Sequence, residues 1–307
     1  MRPDWIAVDW GTSRLRAWAM GADGVLAEAQ SAEGMARLDE GGFELALLRL
    51  IWPWLDEGQA VPVVICGMAG ARQGWHEAPY RMLPCAPVDP QSLVPVAAED
   101  ARISVRIVPG LAQSRPADVM RGEETQIAGA LAVLGNFDGV ICLPGTHSKW
   151  VQVSACEVVS FRSFLTGELF ALLSEQSVLR QGLVGEGWDA DVFLAAVSDG
   201  MSHPQKLGSK LFALRAEGLL QDLPPASARA RLSGLLIGLE LVGARSYWLG
   251  QPVVLVADEG LAERYAAALA AQGVQARLLP ARACTLGGLA AASGQLTTAV
   301  SGTGRKA

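Results

Sequence analysis

Asp9-Trp10-Gly11-Thr12-Ser13 follows a short apolar run directly. Glycine lets backbone N–H groups approach an anion, the Thr and Ser hydroxyls add donors, and an Asp at a strand end can hold Mg²⁺ through water. A hairpin turn with a capping Asp has the same composition, so this segment alone leaves both readings open. Gly145-Thr146-His147-Ser148 follows a second apolar run, and the order strand, Gly-Thr turn, strand, turn, strand is the same in both places. Two hairpins that each aim amides and hydroxyls at one anion would form a two-sided phosphate clamp. Gly11, Thr12, Ser13, Arg14, Gly145, Thr146 and His147 are its expected ligands. Lys149 could reach a phosphate or point to solvent from a strand edge. His147 reads as a local backbone partner rather than a base.

Phosphoryl transfer to an alcohol needs a carboxylate near the acceptor hydroxyl, to orient it and take its proton. Arg121-Gly122-Glu123-Glu124-Thr125-Gln126 opens a helical run shortly before the second Gly-Thr turn. Glu123 is the preferred base and Glu124, about 100° further round the helix, its competitor. Carboxylates at this place also suit the helix dipole with no catalytic role. Gly67-Met68-Ala69-Gly70-Ala71-Arg72-Gln73-Gly74-Trp75 follows another buried strand. There Arg72, with Gln73 beside it, could pair bidentately with a substrate carboxylate while Trp75 covers a carbon chain. Arg162 and Ser163, after the second hairpin unit, offer a further cation and hydroxyl. A surface or inter-domain salt bridge is the plain alternative for either Arg.

Other chemistries find no support. No GxxxxGK[ST] loop, GxSxG elbow or HExxH helix occurs, and GLVGEG at 182–187 is too degenerate for a dinucleotide fingerprint. The five cysteines never fall as CxxC and the three histidines share no helical turn, so neither a disulfide framework nor a structural metal is expected. A net charge of −6 without a basic run argues against nucleic acid or an acidic membrane as partner. The apolar runs fall short of the about 18 residues that span a bilayer, and Arg2 and Asp4 do not open a leader peptide, so a cytoplasmic protein is expected.

The elements that must position these residues follow from periodicity and turn signals. Of the 307 residues 50% are hydrophobic and 18% charged, which is ample for a core or for two domains. Strands are expected at 5–8, 15–20 and 25–30, with Asp23-Gly24 as a hairpin turn. A helix at 43–55 broken around Pro53 and a buried strand at 63–66 come next. Residues 78–116 are rich in proline and read as irregular, with one strand at 103–108. A helix at 121–135 leads to strands at 140–143, 149–153 and 157–161. Helices at 166–176, 191–198, 206–220 and 226–249, a strand at 252–256, a helix at 261–272, a strand at 274–279 and a helix at 286–292 complete the alternation. Alternation of this kind means α/β.

Five blocks in one order make the pattern specific: DWGTSRLRAW (9–18), GMAGARQGW (67–75), MRGEETQI (120–127), LPGTHSKW (143–150) and FRSFLTGELF (161–170). Together they resemble the 2-dehydro-3-deoxygalactonokinase family over most of the chain. Gly-Glu ahead of the second loop also resembles the Gly-Asp-Gln element of FGGY-type sugar kinases, with Glu for Asp. The resemblance implies two ribonuclease-H-like domains of the actin/hexokinase type around a central cleft. It divides the chain at 1–118 and 119–285, with residues 286–307 completing the first domain. It implies ATP and Mg²⁺, the latter on Asp9 through water, and phosphorylation of the 6-hydroxyl of 2-dehydro-3-deoxy-D-galactonate. The acid would be bound by Arg72, Gln73, Trp75, Arg162 and Ser163, and a homodimer is allowed. Asp258 and Gly260, in VVLVADEG (253–260), match the adenosine element only loosely, with Ala257 where Gly is expected. A nucleotide-binding sensor would need neither Glu123 nor the Arg72 loop, and a kinase for a neutral sugar would leave Arg72 unused.

Overall fold

The computed structural model describes residues 2–39 and 41–294, so the expected completion of the first domain by 286–307 lies outside the described residues beyond 294. Backbone contacts divide the chain into two compact units, one of residues 138–153 and 161–280 and the other of the remainder.

In the first unit β1 (Trp5–Trp10), β2 (Leu15–Gly21) and β3 (Gly24–Ser31) form an antiparallel meander, with Gly24 at φ +117° in the Asp-Gly turn. Helix α1 (Gly42–Ile51) ends where Pro53 enters a 3₁₀ turn, and the chain crosses to β4 (Val61–Gly67), parallel to β1. β5 (Arg81–Met82), β6 (Val94–Val96), β7 (Ile103–Ile107), β8 (Leu111–Ser114), β9 (Ala117–Met120) and α2 (Glu123–Leu134) follow. The stretch 78–116 is therefore not irregular around one strand. Pro84, Pro87, Pro90 and Pro95 cut it into strands too short for a period to register, and neighbours rather than propensity hold them in place. β6 pairs with β7, while β5, β8 and β9 make a small sheet of their own.

The second unit repeats the plan. β10 (Gly139–Leu143), β11 (Ser148–Ser154) and β12 (Glu157–Phe164), of which residues 154–160 are grouped with the first unit, lead to α3 (Thr166–Glu175), α4 (Ala190–Ser202), α5 (Leu207–Leu220) and α6 (Pro225–Gly243). Then come α7 (Arg245–Trp248), β13 (Val253–Ala257), α8 (Glu259–Ala270) and β14 (Arg277–Pro280), and α9 (Ala281–Ser293) returns the chain to the first unit. The helix expected over 226–249 is thus two helices that meet at Ala244. The large sheets run β3-β2-β1-β4-β7-β6 and β12-β11-β10-β13-β14. In each, the first strand pairs antiparallel with the second and parallel with the fourth, and the next parallel strand lies outside that. One topology has been used twice.

Alternation along β1 sends Ile6, Val8 and Trp10 toward Phe43, Leu47 and Ile51 of α1, and Trp5 and Ala7 toward Leu289 and Ala292 of α9. A parallel centre covered by helices on both faces needs this continuous apolar character. Helix α2, expected in the second domain, belongs with the first because it packs on α9. A Cβ on Gly129 would lie 1.8 Å from the Cys284 carbonyl oxygen, so only glycine permits the approach.

Candidate active site

The first Gly-Thr turn is shaped by backbone bonds. The Gly11 amide donates to the Arg14 carbonyl at 2.9 Å, leaving Thr12, Ser13 and Arg14 exposed. Beneath it, Met35 and Ala36 amides donate to the Gly11 and Thr12 carbonyls, both at 3.0 Å. Gly34 comes so near that a Cβ there would lie 2.3 Å from the Ser13 carbonyl carbon. Asp9, opposite Arg16 in the β1–β2 register, accepts a 2.5 Å bond from Arg16 Nη2. The cation on Asp9 is therefore Arg16; Arg14 makes no side-chain bond among the described residues. Sequence reasoning missed Arg16, although the register of so short a hairpin places it across from Asp9.

The base candidates sit against the same strand ends. Asp9 and Cys66 are partners across β1 and β4, and the Thr125 hydroxyl bonds the Cys66 thiol. Burial pushes that thiol well above its usual range, and the nearby charges of Asp9 and Glu124 push it further. Glu123 and Glu124 occupy the first turn of α2 after Gly122, which takes φ +105° as N-cap. Glu123 is part-exposed, and its Oε2 accepts from the Arg121 amide at 3.0 Å. Glu124 is fully buried; its oxygens accept from the Gly122 amide at 2.6 Å and the Thr125 hydroxyl at 3.0 Å. Burial, then the adjacent Glu123 charge, pushes the Glu124 carboxyl up to about 8, so it is mostly neutral at pH 7.

The Gly67–Trp75 loop closes through amides of Ala71, Gly74, His76 and Ala78 onto carbonyls of Met68, Ala71, Ala69 and Gly70. It presents Arg72 and Gln73 to solvent, and Arg72 makes no ion pair among the described residues. Trp75 is half-buried, edge-on to Trp10 at 6.2 Å, so it offers one part-exposed face. Arg121, quoted within its block but given no role, holds this loop. Its Nη2 donates to the Ala78 carbonyl at 2.8 Å and its guanidinium lies 4.4 Å over Tyr80. Its buried Nε and Nη1 have no hydrogen-bond partner among the described residues.

In the second unit Gly145 is half-buried and Thr146 and His147 are exposed, matching the first turn. The brace is repeated as well. The Glu168 amide donates to the Thr146 carbonyl at 2.9 Å, and a Cβ on Gly167 would lie 2.1 Å from the Gly145 oxygen. A glycine soon after the third strand in both copies, Gly34 and Gly167, is the sequence signal that was overlooked. Among the described residues the His147 side chain partners Glu168 rather than the backbone, its Nε2 lying 2.6 Å from Glu168 Oε2. Lys149 is buried, not a solvent-facing edge residue. Arg162 is exposed and makes no ion pair among the described residues, and Ser163 is half-buried beside it. Asp258 caps α8 through its carbonyl, and both it and Gly260 are exposed. A cavity next to the turn is lined by Gly145, Thr166, Ser233, Ile237, Arg264 and Tyr265, with the Arg264 guanidinium 4.0 Å over Trp188. Of these, only Gly145 was picked out from the sequence.

Each unit thus gathers its own set of side chains: carboxylates and a loop presenting Arg72 in the first, hydroxyls and a largely apolar cavity in the second. The chain matches the family described as 2-keto-3-deoxy-galactonokinase over residues 9–292. The chain belongs to this family. A 2-dehydro-3-deoxygalactonokinase of Rhizobium meliloti (strain 1021) is 43% identical over 298 residues, covering 94% of this chain and 95% of that protein. The 2-dehydro-3-deoxygalactonokinase of Escherichia coli (strain K12) is 38% identical over 277 residues, covering 89% and 91%. A solved structure described as a 2-dehydro-3-deoxygalactonokinase protein from Sinorhizobium meliloti superposes with a TM-score of 0.85 at 41% identity, covering 95% of this chain and 99% of that one. Component A of (R)-2-hydroxyglutaryl-CoA dehydratase from Acidaminococcus fermentans, 13% identical with a TM-score of 0.50, covers 95% and 98% and shares the fold alone. The fold is a mixed α/β one in which a single sheet topology occurs twice, and the Acidaminococcus protein shares it. As a 2-keto-3-deoxy-galactonokinase family member the chain is a kinase, with ATP as the implied phosphoryl donor.

Proposed function

We propose that the chain transfers the γ-phosphoryl group of ATP to the 6-hydroxyl of 2-dehydro-3-deoxy-D-galactonate, within galactonate catabolism. The observation that carries the reading is the packing of a carboxylate-bearing helix start against the strand that ends in Asp9 and its Gly-Thr turn. Glu123 is the base: it is part-exposed, whereas Glu124 is buried, neutral and committed to its own helix start. As the 6-oxygen attacks the γ-phosphorus, Glu123 takes its proton, the new O–P bond forms, and the bond to the β-phosphate oxygen breaks to release ADP. Arg72 pairs with the substrate carboxylate, Gln73 adds a polar contact and Trp75 offers its open face to the carbon chain. Arg162 and Ser163 are proposed as further ligands of the acid. The amides and hydroxyls of Thr12, Ser13, Gly145 and Thr146 bind phosphates, with Gly11, whose own amide is taken by the Arg14 carbonyl, leaving room for their approach, and His147 and Lys149 bind beside them. The cavity with Arg264 and Tyr265, together with the start of α8 at Asp258 and Gly260, takes the nucleoside.

Asp9 with the Thr12 and Ser13 hydroxyls is an all-oxygen donor set whose one carboxylate also carries the Arg16 guanidinium, so it would hold Mg²⁺ through water rather than by direct ligation. When bound there, the ion would neutralise phosphate charge. A cytoplasmic setting goes with ATP as donor. A homodimer is the proposed assembly, for which Phe212, Leu219 and Leu220 of α5 offer exposed apolar surface; light scattering tests it.

A coupled ADP-release screen over sugar acids and neutral sugars tests the substrate class. Activity is expected on the 2-keto-3-deoxy acid. In Arg72→Ala, KM for the acid should rise by roughly 10- to 150-fold with little change in KM for ATP, the loss of one bidentate charged pair. Equal activity on neutral sugars, or an unchanged acid KM in the variant, would remove acid recognition from the reading.

A further inference from the structure

Glu240 lies in the last turn of α6, fully enclosed, in the otherwise apolar run Leu235-Leu236-Ile237-Gly238-Leu239-Glu240-Leu241. Nothing in the packing of a helix core requires a carboxyl there, and burying one is unfavourable unless donors surround it. Four do. Trp150 Nε1 donates to Oε1 and the Tyr265 hydroxyl to Oε2, both at 2.8 Å. The Thr166 and Ser148 hydroxyls also bond this carboxyl, and Ser148 Oγ lies 3.0 Å from the Tyr265 oxygen. Burial pushes the Glu240 carboxyl up, and the four donors offset only part of that rise.

The origin of the donors matters more than their number. Ser148 follows His147 directly, and Trp150 is two residues further along β11, so these two hold the outgoing side of the second Gly-Thr turn. Thr166 opens α3, whose next residues, Gly167 and Glu168, touch the Gly145 and Thr146 carbonyls from beneath. Tyr265 belongs to α8 and lines the cavity beside Gly145. One carboxyl therefore fixes the turn, its brace and the cavity wall to a single point.

Resting on the assignment of this unit to the nucleotide, we propose that Glu240 is a positioning residue for ATP: its carboxyl sets the second phosphate turn and the α8 wall in the arrangement that takes the nucleotide. It touches neither reactant. Its loss weakens nucleotide binding through geometry and leaves acid recognition alone.

Titration calorimetry with MgADP and a non-hydrolysable ATP analogue decides this, using wild type, Glu240→Gln, Tyr265→Phe and Gly145→Val, with melting curves and the acid KM measured alongside. Gln keeps the size of Glu but turns one acceptor into a donor facing a donor. In Glu240→Gln the nucleotide Kd is expected to rise by roughly 10- to 100-fold, with the acid KM within about twofold. Tyr265→Phe removes one of the four bonds and is expected to raise Kd by roughly 3- to 10-fold. If Glu240→Gln does not fold, Trp150→Phe decides in its place, because it removes another of the four bonds from a residue that does not line the cavity. Folded variants with a lower melting temperature and wild-type Kd would overturn the inference, because a purely structural carboxyl behaves that way. Gly145→Val separates the two claims. A Cβ there meets open space, so the fold should hold while its side chain enters the phosphate position. Unchanged binding in Gly145→Val overturns the nucleotide assignment itself. Lost binding there with normal binding in the other two overturns the Glu240 inference alone.

Discussion

Glu123 and Glu124 are neighbours in sequence with opposite surroundings, and the base proposed at Glu123 rests on that difference. Glu123 to Gln keeps size but removes basicity, so kcat is expected to fall by about 10²–10⁴ with substrate binding retained. Glu124→Gln should keep most of the rate, since Gln resembles the neutral carboxyl that burial enforces. It should also change the pH dependence of stability. The folded pKa of about 8 exceeds the unfolded value of 4.5, so the folded chain holds more protons in between. Stability contributed by this group is full below about 4.5 and is lost as pH rises through about 8, at no more than about 1.4 kcal/mol per pH unit. Melting temperatures between pH 5 and 8.5 should therefore fall less steeply in Glu124→Gln than in wild type. Rate loss confined to Glu124→Gln would move the base by one residue, and identical pH slopes would contradict the buried neutral carboxyl.

At the scale of elements, each phosphate turn is a hairpin loop held from below by the segment after the third strand. Gly167 is the tightest point, and alanine there would force the Gly145 carbonyl to move. Gly167→Ala is expected to raise KM for ATP at least tenfold with the acid KM nearly unchanged, and normal ATP kinetics would show that the brace does not set the turn. The hairpins were legible because Asp-Gly and Gly-Thr turns between alternating strands are strong local signals. So were the helices that follow periodic apolar patterns. Legibility failed where strands are short and proline-flanked, as in β5, β6 and β8, and where partners are distant in sequence. Nothing near Glu240 announces Trp150 or Tyr265, although a lone carboxyl in an apolar run marks a position with a partner to be found. Assignment of α2 to the first unit depended on its contact with α9, which no local pattern carries.

For the molecule as a whole, one sheet topology used twice carries two different sets of side chains. The first copy carries Asp9, Glu123 and the Arg72 loop; the second carries Thr146, Ser148 and the cavity by Arg264. A chain of net charge −6 has no general attraction for an acid or a triphosphate, so recognition of both must come from these local cations and amides. No helix among the described residues is long and apolar enough to cross a membrane. The most direct test is the product itself, followed by ³¹P and ¹³C NMR after incubation with ATP, Mg²⁺ and 2-dehydro-3-deoxy-D-galactonate. The expected result is one ADP per acid consumed and a phosphate monoester whose phosphorus couples to carbon 6. ADP with free inorganic phosphate, or a phosphate on any other oxygen, would contradict it.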